Sequence, residues 1–319
     1  MHEFELINNY FSKITKKNKS ALNLNDDVFF DKKRGVVISI DTYNIGTHFL
    51  NFKYPDLVIK KILRSSISDL ICKGVKPKFY FISASGNKKT FTKNNLYKIA
   101  KSLKSEQNKF NIELCGGDTT FSNNLSFSIT SMGYSNEIIY RNKATSNDDI
   151  YVTGNLGDSF FGLKLLMKKV NVKKKDKIFF INKYYKPDLP LNLTKHLLKF
   201  ANSSIDISDG LIDDLTKMLN RQNLSFQLIE KKIPVSDNLN KLIKSKKLEK
   251  MKIISNGDDY QVLFTADPNK SRIIKNISSS TGIKISKIGK IISGKKRSLL
   301  INEKGLQIEP KIKGYMHKF

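Results

Sequence analysis

The chain has 319 residues, 39% of them hydrophobic, which is enough for a large core and most naturally for two domains, and excludes a disordered tail. No uncharged apolar run approaches membrane-spanning length, and the acidic start Met1-His2-Glu3-Phe4-Glu5 lacks the basic-then-apolar pattern of a secretory signal, so a cytoplasmic protein without membrane contact is expected. The formal net charge of +28 invites a nucleic-acid reading, but the lysines are spread along the whole chain, with no basic stripe carrying interleaved aromatics and no zinc-finger, RRM or basic-zipper pattern. Cys72 and Cys115 are the only cysteines; their apolar neighbours and unrelated spacing predict reduced, buried thiols.

In chain order, Phe4 to Tyr10 reads as a short helix, followed by a polar linker up to Asn25. Val36 to Ile40 is a β-rich run ending at Asp41. Pro55-Asp56 opens a long helix whose apolar stripe is Ile59, Leu63, Ile67 and Leu70, with Asp56 as N-cap and Gly74 as the residue after the end. Asp69 lies on the shoulder of that stripe and needs a partner, because a carboxylate buried alone is very costly. A strand over Lys78 to Ser83 and a helix over Thr92 to Lys104 follow, then Ile112 to Cys115 leads into a Gly116-Gly117-Asp118 turn. Leu125, Phe127 and Ile129 alternate with serines as a half-buried strand. The chain turns polar from Arg141 to Asp149, which places a boundary between domains 1–143 and 144–319.

The second half opens with Ile150-Tyr151-Val152, then Gly154-Asn155-Leu156-Gly157-Asp158 and a helix over Ser159 to Val170; this unit suits phosphate but lacks dinucleotide spacing, and a tight turn fits it as well. The lysine runs at 173–175 and 246–247 read as solvated loops. At Ile205 to Leu211 a strand turns into a helix, with Asp213 and Asp214 in the first turn. Ser225 to Ile229, Tyr260 to Thr265, Ile283 to Ile288 and Leu299 to Ile301 read as strands, and Ser271 to Ser280 as a helix stopped by Gly282. There is no clean βαβ repeat, so an α+β class is expected over a doubly wound sheet.

No Walker A sequence, protein-kinase catalytic loop or Gly-x-Ser-x-Gly is present, and four histidines with no Cys–His candidate give nucleophilic hydrolysis little support. The informative feature is where the acids fall. In a chain with 57 basic and 29 acidic residues, Asp26, Asp27, Asp41, Asp69, Asp118, Asp206 and Asp209 sit in or beside small-residue turns. Each alone reads as an N-cap or Asx-turn. Together they suit magnesium, which takes oxygen ligands and substrate phosphates and lets two anionic reactants approach in line.

Asn25-Asp26-Asp27, Ser39-Ile40-Asp41-Thr42 through His48-Phe49, Ser68-Asp69-Leu70, Gly116 to Thr120, Ile205 to Leu211 and Gly257-Asp258-Asp259-Tyr260 follow one another as in the thiamine-monophosphate kinase family, within the aminoimidazole ribonucleotide synthetase superfamily. The resemblance runs from Phe4 to the C-terminus. It implies a two-domain α+β fold with an N-terminal sheet at a homodimer interface, and Mg²⁺-dependent transfer of the ATP γ-phosphoryl group to thiamine phosphate. By matching positions it implies Asp27, Ser39, Asp41, Asp69, Asp118, Asp206 and Asp209 as ligands of several magnesium ions, with Asp41, Asp118, Asp206 and Asp209 central to the chemistry. Gly117, Asp118, Arg141 and Ser208 would contact ATP, and His48, Asp258 and Tyr315 would line the thiamine phosphate site. The chain departs from the family pattern at Asn25, Ile40, Ser66 and Asp258, where Gly, Thr, Asn and Glu are usual.

The same residues also suit competing readings. Selenophosphate synthetase and the hydrogenase-maturation relative want terminal cysteines that this sequence lacks, while an aminoimidazole ribonucleotide synthetase-like enzyme stays open. A basic nucleic-acid-binding protein and a non-catalytic nucleotide-binding relative are the readings from other classes.

Overall fold

The structure is a computed structural model that describes residues 3–15, 17–294, 298–309 and 314. The first half contains α1 (Glu3–Leu6), β1 (Phe29–Asp31), β2 (Val36–Asn44), α2 (Pro55–Cys72), β3 (Pro77–Gly86), α3 (Lys93–Phe110), β4 (Glu113–Phe121) and β5 (Ser126–Tyr134). Its strands form one sheet in the order β1-β2-β5-β3-β4. The second half contains β6 (Asp149–Thr153), α4 (Asp158–Leu166), α5 (Lys174–Tyr185), α6 (Thr194–Leu197), β7 (Ser203–Asp206), α7 (Leu211–Met218), β8 (Leu224–Ile229), α8 (Asp237–Lys246), α9 (Lys250–Ile254), β9 (Val262–Ala266), α10 (Ser271–Thr281), β10 (Ile285–Ser293), β11 (Leu299–Ile301) and β12 (Gln307–Ile308). These strands form a mixed sheet in the order β12-β11-β8-β10-β6-β9-β7, so the α+β class holds.

Helix α2 is the element that joins the halves. Pro55 pre-sets its first turn, and Gly74 follows its end in the left-handed region at φ 77. Val58, Ile59, Ile62, Leu63 and Ile67 are fully buried, but so are Lys61, Arg64 and Ser66 on other faces. A helix buried all round must be sandwiched, and α2 packs on β2 and β5 of the first sheet and on β7 and β9 of the second. One apolar core runs through it, from Phe127 and Ile129 to Tyr184, Val262 and Phe264. Two of its buried polar groups are paired: Arg64 grips Glu106 at 2.7 and 3.1 Å, and Ser66 Oγ meets Ser131 Oγ at 2.8 Å.

Several sequence expectations need correction. The Gly116-Gly117-Asp118 segment is no turn; it runs through edge strand β4, parallel to β3. A Cβ on Gly117 would stand 1.8 Å from the Ile82 carbonyl oxygen, so glycine is what lets the two backbones pair. Cys115 is therefore exposed on that edge, while Cys72 is buried as expected. Strand β2 continues past Asp41 to Asn44, and Tyr54 rather than Asp56 is the cap of α2. The lysine runs are the two ends of helices: Lys173 caps α5, and Lys246 and Lys247 end α8. Among the described residues no helix is long and apolar enough to cross a membrane.

One face of the first sheet packs on α2, and the other is bare among the described residues. Ile40, Thr130, Phe81 and Gly116 lie side by side across four strands on the bare face, with Ile40 69% and Phe81 39% exposed. The row Ile38, Met132 and Phe79 flanks them on one side, and the polar row Thr42, Ser128, Ser83 and Asp118 on the other.

Candidate functional site

A cleft of about 680 Å³ opens between the halves, lined from the first half by Asp26, Asp27, Asp41, His48 and Asp69, from the second by Asp206, Ser208, Asp209 and Asp258, and by Arg141 from the segment between them. The alternation of β2 aims Ser39 and Asp41 inward, towards the face where α2 presents Asp69. The expected partner of Asp69 is the Ser39 hydroxyl, which donates to its carboxylate. The Ser68 hydroxyl, one residue earlier on α2, donates to Asp206 at the end of β7. Asp41 accepts from Tyr43 Oη at 3.1 Å. One oxygen each of Asp27, Asp69 and Asp206 lie within 4.8 Å of one another.

This crowding has an electrostatic signature. Burial pushes the Asp69 carboxyl well above the usual range, and the neighbouring Asp41 and Asp206 charges add to it. Burial likewise raises Asp206 to about 6, against the pull of the Ser68 hydrogen bond. Carboxylates that resist ionising because they face one another are stabilised by a shared cation. All the donors are hard oxygens, and the set fits magnesium.

A second acidic group stands at the start of α7. Asp214 accepts the backbone N–H groups of Asp209 and Gly210 at 3.0 and 2.9 Å, and so fixes the turn. Lys217 spans Asp209, Asp213 and Asp214. This turn is laced to the loop before β9: Asp258 N–H donates to Ser208 O and Tyr260 N–H to Ile207 O, both at 2.8 Å. The approach requires Gly257, at φ 68, where a Cβ would lie 2.0 Å from the Ser208 carbonyl oxygen. Asp258 itself is left-handed, at φ 62, and its carboxylate accepts from Tyr260 Oη at 2.9 Å. Across the cleft, Asn44 N–H donates to His48 Nδ1 at 2.9 Å, which puts the proton of the neutral ring on Nε2.

Arg141 enters the cleft from the segment joining the halves, its Nε 3.1 Å from Asp27 Oδ2 and its backbone N–H 2.9 Å from Asp26 Oδ2. Gly117 and Asp118 are not in the cleft. Asp118 lies on β4, three strand spacings or about 14 Å from β2, on the face opposite to Asp41. Gly314 packs on the acidic turn, where an added Cβ would be 2.4 Å from Asp209 O, and the next residue, Tyr315, lies outside the described residues. Sequence reasoning missed Lys61, Lys73 and Tyr184, which line or brace the site. A lysine in or after a helix normally reads as a solvated end, and only the buried acids opposite these two reveal otherwise.

The family model described as the N-terminal domain of AIR synthase related proteins matches residues 24–135. A Thiamine-monophosphate kinase of Haemophilus influenzae is 31% identical over 297 residues, 91% of this chain and 89% of its own. One from Buchnera aphidicola is 34% identical, covering 86% of each chain. The solved structure of AaThiL complexed with AMPPCP and TMP superimposes with a TM-score of 0.85 at 25% identity, over 99% of this chain and 97% of its own. Similarity at this level along nearly the whole length makes the chain a member of the thiamine-monophosphate kinase family.

Proposed function

We propose that this enzyme transfers the γ-phosphoryl group of ATP to thiamine phosphate, forming thiamine diphosphate. The observation that carries the reading is the convergence of Asp27, Asp41, Asp69, Asp206 and Asp209 from both halves on one cleft, in a chain whose relatives bear that name and whose solved neighbour holds AMPPCP and TMP. The attacking phosphate oxygen is already an anion, so the barrier is repulsion between anions and no strong base is needed. Ser39, Asp41, Asp69 and Asp206, with Asp27 and Asp209 beside them, would hold magnesium ions, which supply charge neutralisation when bound. Arg141 and Ser208 then hold the nucleotide, while His48 and Asp258, with Tyr315, orient the acceptor, and positioning supplies much of the rest.

The bare face of the first sheet supports a homodimer. An uncovered apolar row with Ile40 and Phe81 at its centre, bounded by an unpaired edge strand, fits a second copy of the same face. In that arrangement the partner's copy of Gly117 and Asp118 reaches the cleft that a single chain leaves without them. Residues 1–143 would then form the dimerising, metal-binding domain, and residues 144–319 the domain that adds Asp206, Asp209 and Asp258. Dependence on ATP suits a cytoplasmic location.

The test is incubation with Mg-ATP and thiamine phosphate, following ADP and thiamine diphosphate. Matched formation of both, abolished by chelation, is the expected result; ADP without thiamine diphosphate would overturn the acceptor, and neither product in folded protein would overturn the reading as a whole.

A further inference from the structure

Lys73 follows the last residue of α2, and its side chain is completely buried. An ammonium so placed must be compensated. Its Nζ lies 2.6 Å from Asp26 Oδ1, 2.6 Å from Asp27 Oδ2 and 2.9 Å from the carbonyl oxygen of Ser204 on β7. An ammonium has three protons and no lone pair, so these acceptors use each proton once; a neutral amine has one proton too few.

The cleft therefore has two unlike sides. At the Asp26–Asp27 corner the carboxylates are balanced by cations of the chain itself, Lys73 and Arg141. Asp69 and Asp206 instead accept from the hydroxyls of Ser39 and Ser68, which orient the carboxylates without neutralising them. A carboxylate offers about four acceptor positions. On Asp27, Lys73 Nζ, Arg141 Nε and the Arg141 terminal nitrogen take three of them. Asp27 keeps capacity to join one ion, shared with Asp69 and Asp206, but not to bridge two.

We propose that Lys73 is a resident cation that stands where a divalent ion would otherwise be needed at the Asp26–Asp27 corner, so that metal is recruited only on the Asp69–Asp206 side. The inference rests on reading the acidic cluster as a metal site. It assigns Lys73 a positioning role: it fixes the Asp26-Asp27 turn against α2 and β7 before any metal arrives.

The test counts Mn²⁺ bound per chain, by equilibrium dialysis without nucleotide, in the wild type, Lys73→Met, and Lys73→Gln, which keeps two N–H donors in case the Met variant fails to fold. Both variants should bind about one more Mn²⁺ per chain than the wild type. Their melting temperatures should fall in EDTA and recover with Mn²⁺ by a larger step than in the wild type. Adding Asp26→Asn to Lys73→Met should remove the extra ion. Equal Mn²⁺ counts in wild type and variants, with melting temperatures lowered alike in EDTA and Mn²⁺, would overturn the proposal and leave Lys73 a structural tether. A wild type that binds no Mn²⁺ would sink the metal reading of the cluster, while the difference between wild type and variant would still judge Lys73.

Discussion

Lys61 Nζ on α2 lies 2.5 Å from Asp258 Oδ1, bonding residues 197 positions apart across the two halves of the chain. The ammonium is boxed by the rings of Tyr184 and Tyr260, at 4.4 and 5.5 Å, and is itself buried, while Asp258 is 25% exposed towards the cleft. The shorter acid at this position is thus pinned by a lysine and the Tyr260 hydroxyl together.

Replacing Lys61 by Met should leave Asp258 without its counter-charge. Breaking a buried pair costs about 3–5 kcal/mol, and the partial exposure of Asp258 reduces this to about 2 kcal/mol. Urea unfolding should show that loss. The KM for thiamine phosphate should rise severalfold while that for ATP stays close to the wild-type value. Equal rises for both substrates would show that Lys61 supports the cleft as a whole and does not position the acceptor residue.

Asp206→Asn should separate stability from activity. Burial holds Asp206 near 6, so at neutral pH its charge opposes folding, and removing the charge should stabilise the metal-free protein by roughly 2 kcal/mol. The same change removes a charged oxygen from the Asp27–Asp69–Asp206 group, and kcat should fall on the order of 10²-fold or more. Thermal melting in EDTA beside steady-state rates checks both signs. A variant that is less stable and fully active would contradict the picture of a strained acidic cluster.

The order of the acidic motifs was legible in the sequence because local chemistry marks them: Asp206 closes a short strand and Gly210 opens a helix. The partner demanded by Asp69 was foreseeable from helical periodicity, although its identity as Ser39 depends on which strand α2 covers. The Gly116-Gly117-Asp118 segment reads as a turn for a physical reason. Paired glycines mark tight turns and close backbone approach equally well, and here the approach of β4 to β3 wins. The lysines at 61 and 73 could not be read as buried, because nothing local distinguishes a solvated lysine from one that meets an acid 197 or 47 residues away.

If Asp118 serves the cleft of a partner subunit, two inactive variants should complement each other. Asp118→Asn and Asp206→Asn proteins, mixed and allowed to exchange subunits, form heterodimers in which one cleft is intact and the other carries both changes. Random pairing then restores about a quarter of wild-type activity. Mixtures that stay as inactive as their parents, with exchange verified by native mass spectrometry, would place Asp118 outside the reacting site.

Stability should fall as pH rises towards neutrality, and Asp158 should carry a measurable share of that fall. It lies at the start of α4, only 4% exposed, where its carboxylate accepts from Ser236 Oγ at 2.6 Å. Burial raises it from 3.8 to about 6, more than the Ser236 bond can offset. Between those values the folded state keeps a proton that the unfolded chain has released, so the free energy of unfolding declines with increasing pH. The protonated form's advantage is fully present below 3.8 and lost as pH passes about 6, a difference of up to about 3 kcal/mol. Asp206 and Asp214, also raised to about 6, slope the same way, so the wild type should lose stability steadily over this window. Asp158→Asn cannot ionise and should flatten the slope by about 2 kcal/mol between about pH 4 and pH 7 while leaving the Asp206 and Asp214 contributions in place. Urea unfolding of both proteins at the two ends of the window, in EDTA, measures the difference. Parallel slopes would mean that Asp158 ionises as freely in the fold as in the unfolded chain.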